Sequence, residues 1–556
     1  VRGRIAARPL RDIASDPGEH PDVRVAAAAA LGQRRDEPDA LAVLTALAGG
    51  DDLLGGVARL GLVDLGDDTN PARRGEGLTI AQLFLHADID PDLAQAGSGD
   101  NGGIATLLVR LGNALSQRPG DTQYPVDRVV TLSRGSVEDT LASVAELSTA
   151  TSGHLYGRVP LLTEPVASAA AWPLRVTVRR GIRRILRAAS PVDVLHLRMA
   201  DVGSLAASDA ARELDIPVVF TVAPDPHSVI NSMGLSGALN RSNFGTVDEQ
   251  EHFWFRARLV QRLAANASHT VLFPRPDLKK DMLELVGINI DAHPERHTIV
   301  PEGIDLEVVD RAVAEATEVA NTPPLRELTS LLESLPAERR GLPLIVSVGR
   351  FHRVKGMATI VDAWANGPLK DQANLLLIGG NLEDPSADEL EQLALMDAIV
   401  PAGQRAAAGL LLPGHRPNDT VARWVSAART GVPGLAAPNG IYVCGSLKEE
   451  FGIALLEAMA SGLLVVAPDG GGPATYVEPG VTGFLTATWH VGKLRDAMGA
   501  ALEVAQAETT TDRAAKSRAT VERSFTIQAM AGSLAGVYDY VHEQEQGHRA
   551  LPVQTP

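Results

Sequence analysis

The stretch Leu344-Ile345-Val346-Ser347-Val348-Gly349-Arg350-Phe351-His352-Arg353-Val354-Lys355-Gly356 decides the fold. Its first five residues form a short apolar run closed by a glycine, the pattern of a strand buried on both faces of a parallel sheet. From Met357 to Trp364 the apolar spacing turns helical, so the segment reads strand, loop, helix. Arg350, Arg353 and Lys355 fall at the carboxyl end of that strand and just ahead of the helix. Free backbone N–H groups and the helix dipole favour an anion there. The chain carries 51 Lys and Arg against 68 Asp and Glu, a net charge of −17, so such a local cation cluster stands out and suits a diphosphate.

The same alternation extends in both directions. Candidate strands follow at Asn374 to Ile378, Gly409 to Leu412, Gly440 to Val443 and Leu464 to Ala467. Others precede it at Ile80 to Leu85, Arg128 to Leu132, Val192 to Leu197, Pro217 to Thr221, Thr270 to Phe273 and Thr298 to Val300. Strands alternating with helices imply parallel sheets, here two doubly wound α/β domains in series with a linker near residues 301 to 306. Ligands of such domains sit at the carboxyl ends of the strands, which points to a cleft between the two. Residues 1 to about 68 are instead rich in Ala, Leu and Arg at helical spacing, broken at Asp16-Pro17-Gly18 and at Gly49-Gly50-Asp51-Asp52. The run from Pro21 to Gly32, followed by Ala40 to Leu44, resembles a HEAT-type helix pair. One or two such units are fewer than a free-standing solenoid needs, so an appendage docked on the main body or on another subunit is expected.

Composition narrows the function classes. A chain of 556 residues with 45% hydrophobic and 21% charged residues has the makings of several folded cores rather than of a disordered tail. Its acidity disfavours a nucleic-acid partner. The lone Cys444 rules out an intramolecular disulfide and a cysteine metal cage, and its apolar neighbours Ile441, Tyr442 and Val443 mark it as a buried, inert thiol. No run of 18 apolar residues and no basic-then-apolar leader occurs, so no membrane span and a cytoplasmic location are expected.

Three further segments carry polar chemistry. Lys448-Glu449-Glu450-Phe451-Gly452-Ile453 leads from a buried strand through a turn into a helix that contains Glu457. Carboxylates before the turn and inside the helix can accept hydrogen bonds from sugar hydroxyls, although capping of the helix dipole by Glu449 and Glu450 explains the same pattern. Next, Val465-Val466-Ala467-Pro468-Asp469-Gly470-Gly471-Gly472-Pro473 is a strand followed by a glycine turn where backbone can approach a ligand. In the N-terminal half, Gly97, Gly99 and Gly102 satisfy a G-x-G-x-x-G spacing. That match is poor for a dinucleotide site, because the loop does not directly follow its strand and the next strand ends in Ser133-Arg134 rather than an acid.

Together these segments resemble the retaining GT-B glycosyltransferases of the sucrose-synthase and sucrose-phosphate-synthase superfamily. The resemblance rests on Gly349-Arg350 with Lys355-Gly356, on Glu449 and Glu457, and on Gly470 to Pro473. In the N-terminal half it rests on Gly102-Gly103, on Asp193 to His196 with Asp201 and Gly203, and on Pro301 to Asp305. It covers residues 76 to 545 and implies two Rossmann-like domains facing a cleft. The implied layout is a helical extension over 1–72, an acceptor domain over 73–302 and a donor domain over 303–520. A C-terminal helix, about Ile527 to Glu543, would pack back on the acceptor domain within 521–556. The implied activity is metal-independent transfer of a hexose, glucose first, from a nucleotide diphosphate sugar such as UDP-glucose to a hydroxyl of a small sugar or sugar phosphate, with no cofactor.

By the same resemblance Arg350 and Lys355 would neutralise the diphosphate and Glu449 would hold hydroxyls of the transferred sugar. The backbone of Phe451, Gly452 and Ile453 would contact sugar or phosphate, Glu457 would bind the ribose, and Gly102 and Gly103 would close from the other domain. Gly379 lies in a loop that shapes the base site. The family also carries a histidine after an N-terminal strand, where this chain reads Thr221-Val222-Ala223-Pro224-Asp225-Pro226-His227. Ala223 lies where that histidine is first sought, so His227 is the candidate, with Asp225, His196 and Arg134 on the acceptor side. Arg175, Arg179, Arg180, Arg183, Arg184 and Arg187 form a basic stripe that reads as a solvated helix face, a membrane contact or an acidic-partner site. A non-catalytic scaffold subunit joined through the N-terminal helices and a nucleotide-sugar epimerase are the alternative functions.

Overall fold

The computed structural model describes residues 4–66, 77–85, 87–93, 103–163, 166, 170–222, 226–235, 237–447, 449–507 and 512–550. The glycine loop at Gly97 to Gly102 and the segment Ala223 to Asp225 lie outside them. Seven strands build the first sheet: β1 Leu78–Leu83, β2 Val126–Gly135, β3 Gly153–Pro160, β4 Val194–Leu197, β5 Val218–Thr221, β6 His269–Leu272 and β7 His297–Ile299. Six build the second: β8 Leu344–Val348, β9 Asn374–Ile378, β10 Leu410–Gly414, β11 Ile441–Val443, β12 Leu464–Pro468 and β13 Gly483–Thr486. Every pairing is parallel, in the orders β3-β2-β1-β4-β5-β6-β7 and β10-β9-β8-β11-β12-β13. The expected pair of doubly wound domains is therefore present. Its β8 and β9 have the bounds read from sequence.

Sequence reading missed β3 and β13, and both are edge strands. An edge strand needs no continuous apolar run, and β3 alternates half-buried polar residues with buried ones. Gly157 within β3 is required by packing, since a Cβ there would lie 2.4 Å from Ile185 on the neighbouring helix.

Helices α1 Arg4–Ser15, α2 Pro21–Leu31, α3 Pro38–Leu47 and α4 Leu53–Leu65 form the N-terminal extension. The first sheet is flanked by α5 Gly103–Ser116, α6 Val137–Leu147, α7 Arg175–Ala188, α8 Val202–Glu213, α9 Pro226–Leu235, α10 Phe244–Glu251 and α11 Phe253–Asn266. One face packs against Ile182 and Ile185 of α7, Leu205 and Ala206 of α8 and Leu259 and Leu263 of α11. The other packs against Leu107 and Leu111 of α5 and against Met530, Leu534 and Tyr538 of the C-terminal helix Ile527–Ala550. That helix thus returns to the first sheet after the second domain is complete. The chain crosses between domains at Gly303–Ile304 and again at Phe525–Ile527, and the two crossings are joined by Ile304 N–H to Phe525 O and Ile527 N–H to Ile304 O, both 2.9 Å.

The basic stripe of α7 is divided: Arg175 and Arg179 are exposed, as a solvated face would have them, while Arg184 is buried. Arg184 donates to Asp64 at 2.8 and 2.6 Å, with both side chains buried. Arg187 donates to the carbonyls of Asp64 and Gly66, at the carboxyl end of α4, where the helix dipole is negative. Arg175 and Arg179 pair with Asp209 and Glu213 of α8. Arg184 and Arg187 form the socket that holds the extension on the N-terminal domain, helped by Val137 and Leu141 of α6 in the core of α1 to α4. Among the described residues no helix is long and apolar enough to cross a membrane.

Candidate active site

In a doubly wound sheet the crevice opens where neighbouring strands send their connections to opposite sides. In the second sheet that point lies between β8 and β11, and the two decisive sequence segments leave from those strands. The Gly349–Gly356 loop follows β8 and the Cys444–Gly452 loop follows β11. The loops are locked together at Gly356, whose left-handed φ of +63° and added Cβ, 2.0 Å from Gly445 O, leave no room for a side chain.

This contact sets Lys355 opposite Glu449, Nζ to Oε2 at 3.0 Å. The same oxygen accepts from Ser446 Oγ at 3.0 Å and from Cys444 Sγ at 3.7 Å. Among the described residues Oε1 accepts none and is left for a ligand. Burial works against the Lys355 ammonium, yet the charge and hydrogen bond of Glu449 outweigh it and hold its pKa above the ordinary value. Cys444 is buried as expected, and burial together with the Glu449 charge pushes its thiol up to about 11. That this thiol lies against the site carboxylate is decided by the folded loop and was not legible from the residues around it.

Arg350 is exposed at the mouth of the same loop, and its charge acts on both His352 and Lys355. Arg353, expected beside the diphosphate, is instead engaged by Glu251 at the end of α10, so it ties the two domains together. A second cross-domain pair joins Arg275 to Glu450, and the Phe273 and Phe451 rings stack at 5.9 Å. The Phe451 side chain is thus core, leaving its backbone for any ligand contact; its carbonyl accepts from Tyr476 Oη at 2.6 Å.

Gly452 has φ +98° and starts the helix Ile453–Ala460 with no side-chain cap. Across the cleft Gly103 begins α5, and a Cβ on it would lie 3.9 Å from Ile453 Cδ1. Two helix N-termini therefore face each other over the site, a field suited to negative charge. Glu457, in the second turn of its helix, accepts from Asn418 Nδ2 at 3.3 Å, and burial pushes its pKa up to about 7.

The glycine turn after β12 approaches protein rather than leaving open space. A Cβ on Gly471 would lie 2.2 Å from Glu449 O, so the turn braces the Glu449 backbone. Gly379, at φ +138°, likewise has no room for a side chain, since a Cβ on it would lie 2.0 Å from Gly349 O, and the close approach sets the loops after β8 and β9 in register. Arg416, two residues past the end of β10, pairs with Glu327 and lies over Trp424.

On the N-terminal side the placements differ more from expectation. His196 does not reach a ligand: it is fully buried, with Nδ1 2.6 Å from Tyr538 Oη and Nε2 2.7 Å from Thr221 Oγ1. Its pKa is lowered well below the ordinary value, by burial first and then by Arg198. Arg134 ends β2 and donates to Thr163 O at 3.0 Å. His227 is half-buried in the first turn of α9. Gly102 and Asp225 lie outside the described residues.

Two residues that sequence reasoning gave no role stand in the cleft wall. Glu302 follows β7 and its pKa is raised to about 7, by burial above all, with Arg198 and Lys355 opposing and Glu449 and Glu450 adding. Arg198 directly follows β4. The available signal was positional: each is the first charged residue past a candidate strand end.

Comparison with known proteins agrees with this architecture. Residues 342–503 match a family model described as Glycosyl transferases group 1, and residues 101–308 one described as Glycosyltransferase Family 4. A sucrose synthase of Acidithiobacillus caldus is 32% identical over 27% of this chain and 19% of its own length. Sucrose synthase 2 of Oryza sativa is 29% identical over 37% of this chain and 26% of its own. The matches therefore span only about a fifth to a quarter of those relatives. Among solved structures, the sucrose-phosphate synthase of Thermosynechococcus elongatus superposes with a TM-score of 0.58 at 18% identity, covering 85% of this chain and all of that one. Anabaena HepE in complex with UDP-glucose gives 0.52 at 17%, covering 84% of this chain and all of that one. The fold expected from sequence, GT-B with two facing Rossmann-like domains, is borne out.

Proposed function

From a chain of glycosyltransferase GT-B type, related to the sucrose synthases, we propose a retaining hexosyltransferase that takes glucose from a nucleotide diphosphate sugar and passes it to a hydroxyl of a small sugar or sugar phosphate. The observation that carries this reading is the Lys355–Glu449 pair at the β8/β11 crevice, set between two opposed helix N-termini. The solved Anabaena structure with UDP-glucose supports the donor class.

In this reading the bond from the anomeric carbon to the diphosphate breaks, and its electron pair stays on the phosphate oxygen. Lys355, Arg350 and the N–H groups of Ile453 and Ala454 stabilise the growing negative charge in a site already organised for it. Metal independence is part of the proposal and follows from giving that task to these groups. Glu449 Oε1 accepts from sugar hydroxyls while Oε2 is held by Lys355 and Ser446. Glu457 accepts from the ribose. The acceptor oxygen bonds to the anomeric carbon on the face the diphosphate leaves, and the acceptor proton ends on the released diphosphate. His227, with Asp225 and Arg134, is assigned to the acceptor side. The N-terminal helices serve as a docked extension, and their HEAT likeness rests on sequence.

The test is calorimetric binding of a set of nucleotide sugars in EDTA, with Lys355→Ala as control, followed by NMR of the product of a positive acceptor. Binding lost in the variant, with the anomeric configuration kept in the product, is the expected result. An inverted product overturns retention, and no binding to the wild type overturns the donor assignment.

A further inference from the structure

Two helices, one in each domain, turn outward faces of opposite character to solvent. α11 carries three arginines and no acid in its 14 residues, and its exposed stripe is Trp254, Phe255, Arg258 and Arg262. Trp254 is 63% and Phe255 46% exposed, and the Arg258 guanidinium lies over the Trp254 ring, 5.1 Å from its centroid. The helix Ala387–Ile399 of the second domain carries four acids and no base in 13 residues. Its exposed stripe is Leu390, Glu391, Ala394, Leu395 and Ala398, with Asp388 exposed at its start. An amphipathic surface helix keeps its polar side outward, yet here Glu389 and Gln392 are buried while Leu390 and Leu395 are 55% and 48% exposed. Outward apolar stripes of this kind mark surfaces that meet something.

The order of residues along each helix decides what they meet. α11 runs from aromatic to basic, and the other helix runs from acidic to apolar. Laid antiparallel, they set Trp254 and Phe255 on Leu395 and Ala398, Arg258 on Glu391 and Arg262 on Asp388. The spacings agree, since Trp254 to Arg262 covers about 12 Å of helix axis and Asp388 to Leu395 about 11 Å. Laid parallel, the same helices would put Trp254 on Asp388 and Arg262 on Leu395. The antiparallel pair also opposes the two helix dipoles favourably.

One chain cannot make this contact with itself. Asp388 lies 3.4 Å from His352, and Glu251, two residues before α11, engages Arg353. Both helices therefore start beside the Gly349–Gly356 loop, amino end next to amino end, whereas the match needs amino end against carboxyl end. An anionic bilayer suits the basic stripe alone. It would be repelled by a chain of net charge −17 and would leave the leucines of the second helix uncovered.

We propose that the chain forms a reciprocal dimer, in which the outward stripe of α11 in one copy packs antiparallel on the outward stripe of Ala387–Ile399 in its partner. Each copy carries both stripes, so two such contacts form at once and the assembly closes on a two-fold axis. Reciprocity doubles the surface covered by one helix pair, toward the roughly 800 Å² per partner of a stable interface. The aromatic and leucine side chains supply the buried apolar area, and the charged ends fix the direction of packing.

The experiment is sedimentation velocity of the full chain over a range of concentrations in low and high salt. The expected result is a discrete dimer that weakens as salt rises. Trp254→Ser and Leu395→Ser each raise the dissociation constant on the order of 10-fold, as do Arg258→Glu and Glu391→Arg. All four side chains are exposed, so the fold survives each change. An equimolar mixture of Arg258→Glu and Glu391→Arg chains dimerises as the wild type does, because one contact keeps the original charge pair and the other has it reversed. A wild type that stays monomeric at every concentration overturns the proposal, as does a dimer indifferent to all four substitutions. A mixture no tighter than either variant alone overturns the pairing of these two helices, and polymers that lengthen with concentration overturn its reciprocity. Monomeric wild type that pellets with phosphatidylglycerol vesicles, and loses that binding in Trp254→Ser, assigns the α11 stripe to a bilayer and overturns the proposal as well.

Discussion

Replacing Lys355 by Met removes one charge and one hydrogen bond from the centre of the proposed donor site, and the structure sets the size of the effect. Nζ lies 3.0 Å from Glu449 Oε2, with the two side chains 34% and 16% exposed. Unit charges about 4 Å apart at an effective dielectric of about 20 interact by about 4 kcal/mol. With a third of the lysine in water, desolvation and screening reduce the net contribution to folding to about 1 kcal/mol. Ser446 and Cys444 remain on Oε2 after the substitution, so Glu449 keeps two donors and the fold survives. Catalysis is affected differently, because the lysine acts on charge that appears only as the diphosphate departs. Loss of one such donor in an organised site slows the chemical step by about 10²- to 10³-fold, or about 2.7–4 kcal/mol. The assay is single-turnover release of the nucleoside diphosphate from bound UDP-glucose, with donor affinity measured in parallel. Lys355→Arg retains the charge and should recover part of the rate. Lys355→Met and Glu449→Gln should cost less in combination than the sum of the two, because they act through one shared oxygen. A single-turnover rate within threefold of the wild type in Lys355→Met, at unchanged donor affinity, refutes the assignment.

Three further outcomes are expected. Glu457 titrates near 7 in the fold against 4.5 ordinarily, so the folded state holds a proton that the unfolded chain releases between those values. Stability should fall as pH rises from about 4.5 to 7, by at most about 1.4 kcal/mol per pH unit before screening, and Glu457→Gln should flatten that slope in denaturant titrations. Asp64→Ala strands the buried Arg184 guanidinium and should cost about 3–5 kcal/mol, seen as undocking of α1 to α4 in limited proteolysis; wild-type protease resistance would contradict the socket. Tyr538→Phe removes the 2.6 Å hydrogen bond to His196 and should lower stability by about 1–3 kcal/mol while leaving the KM for any acceptor unchanged, whereas a changed KM would return His196 to the acceptor site.

Much of this protein was legible before folding was considered. Alternating apolar runs and helical spacing gave the two parallel sheets because strands buried on both faces must be continuously apolar, as in β8 and β9. Edge strands β3 and β13 escape that rule, and they were the ones missed. Arg350, Lys355, Glu449 and Glu457 could be singled out because each sits near a strand end or helix start, and local sequence places those. What a side chain meets there is not local. Arg353 faces Glu251 across the domain boundary, His196 finds Tyr538 from 342 residues away, and the basic stripe of α7 meets the end of α4.

Sequence alone therefore determined the elements, their order and the loops that carry charge, since these depend on periodicity and on residues a few positions apart. Tertiary structure alone decided which charges are already spent on other parts of the chain and which are left for a ligand. Arg184 and Arg198 show the difference: each is a buried arginine, and only the folded chain brings Asp64 of α4 to the first while leaving Nε and Nη2 of the second without a hydrogen-bond partner.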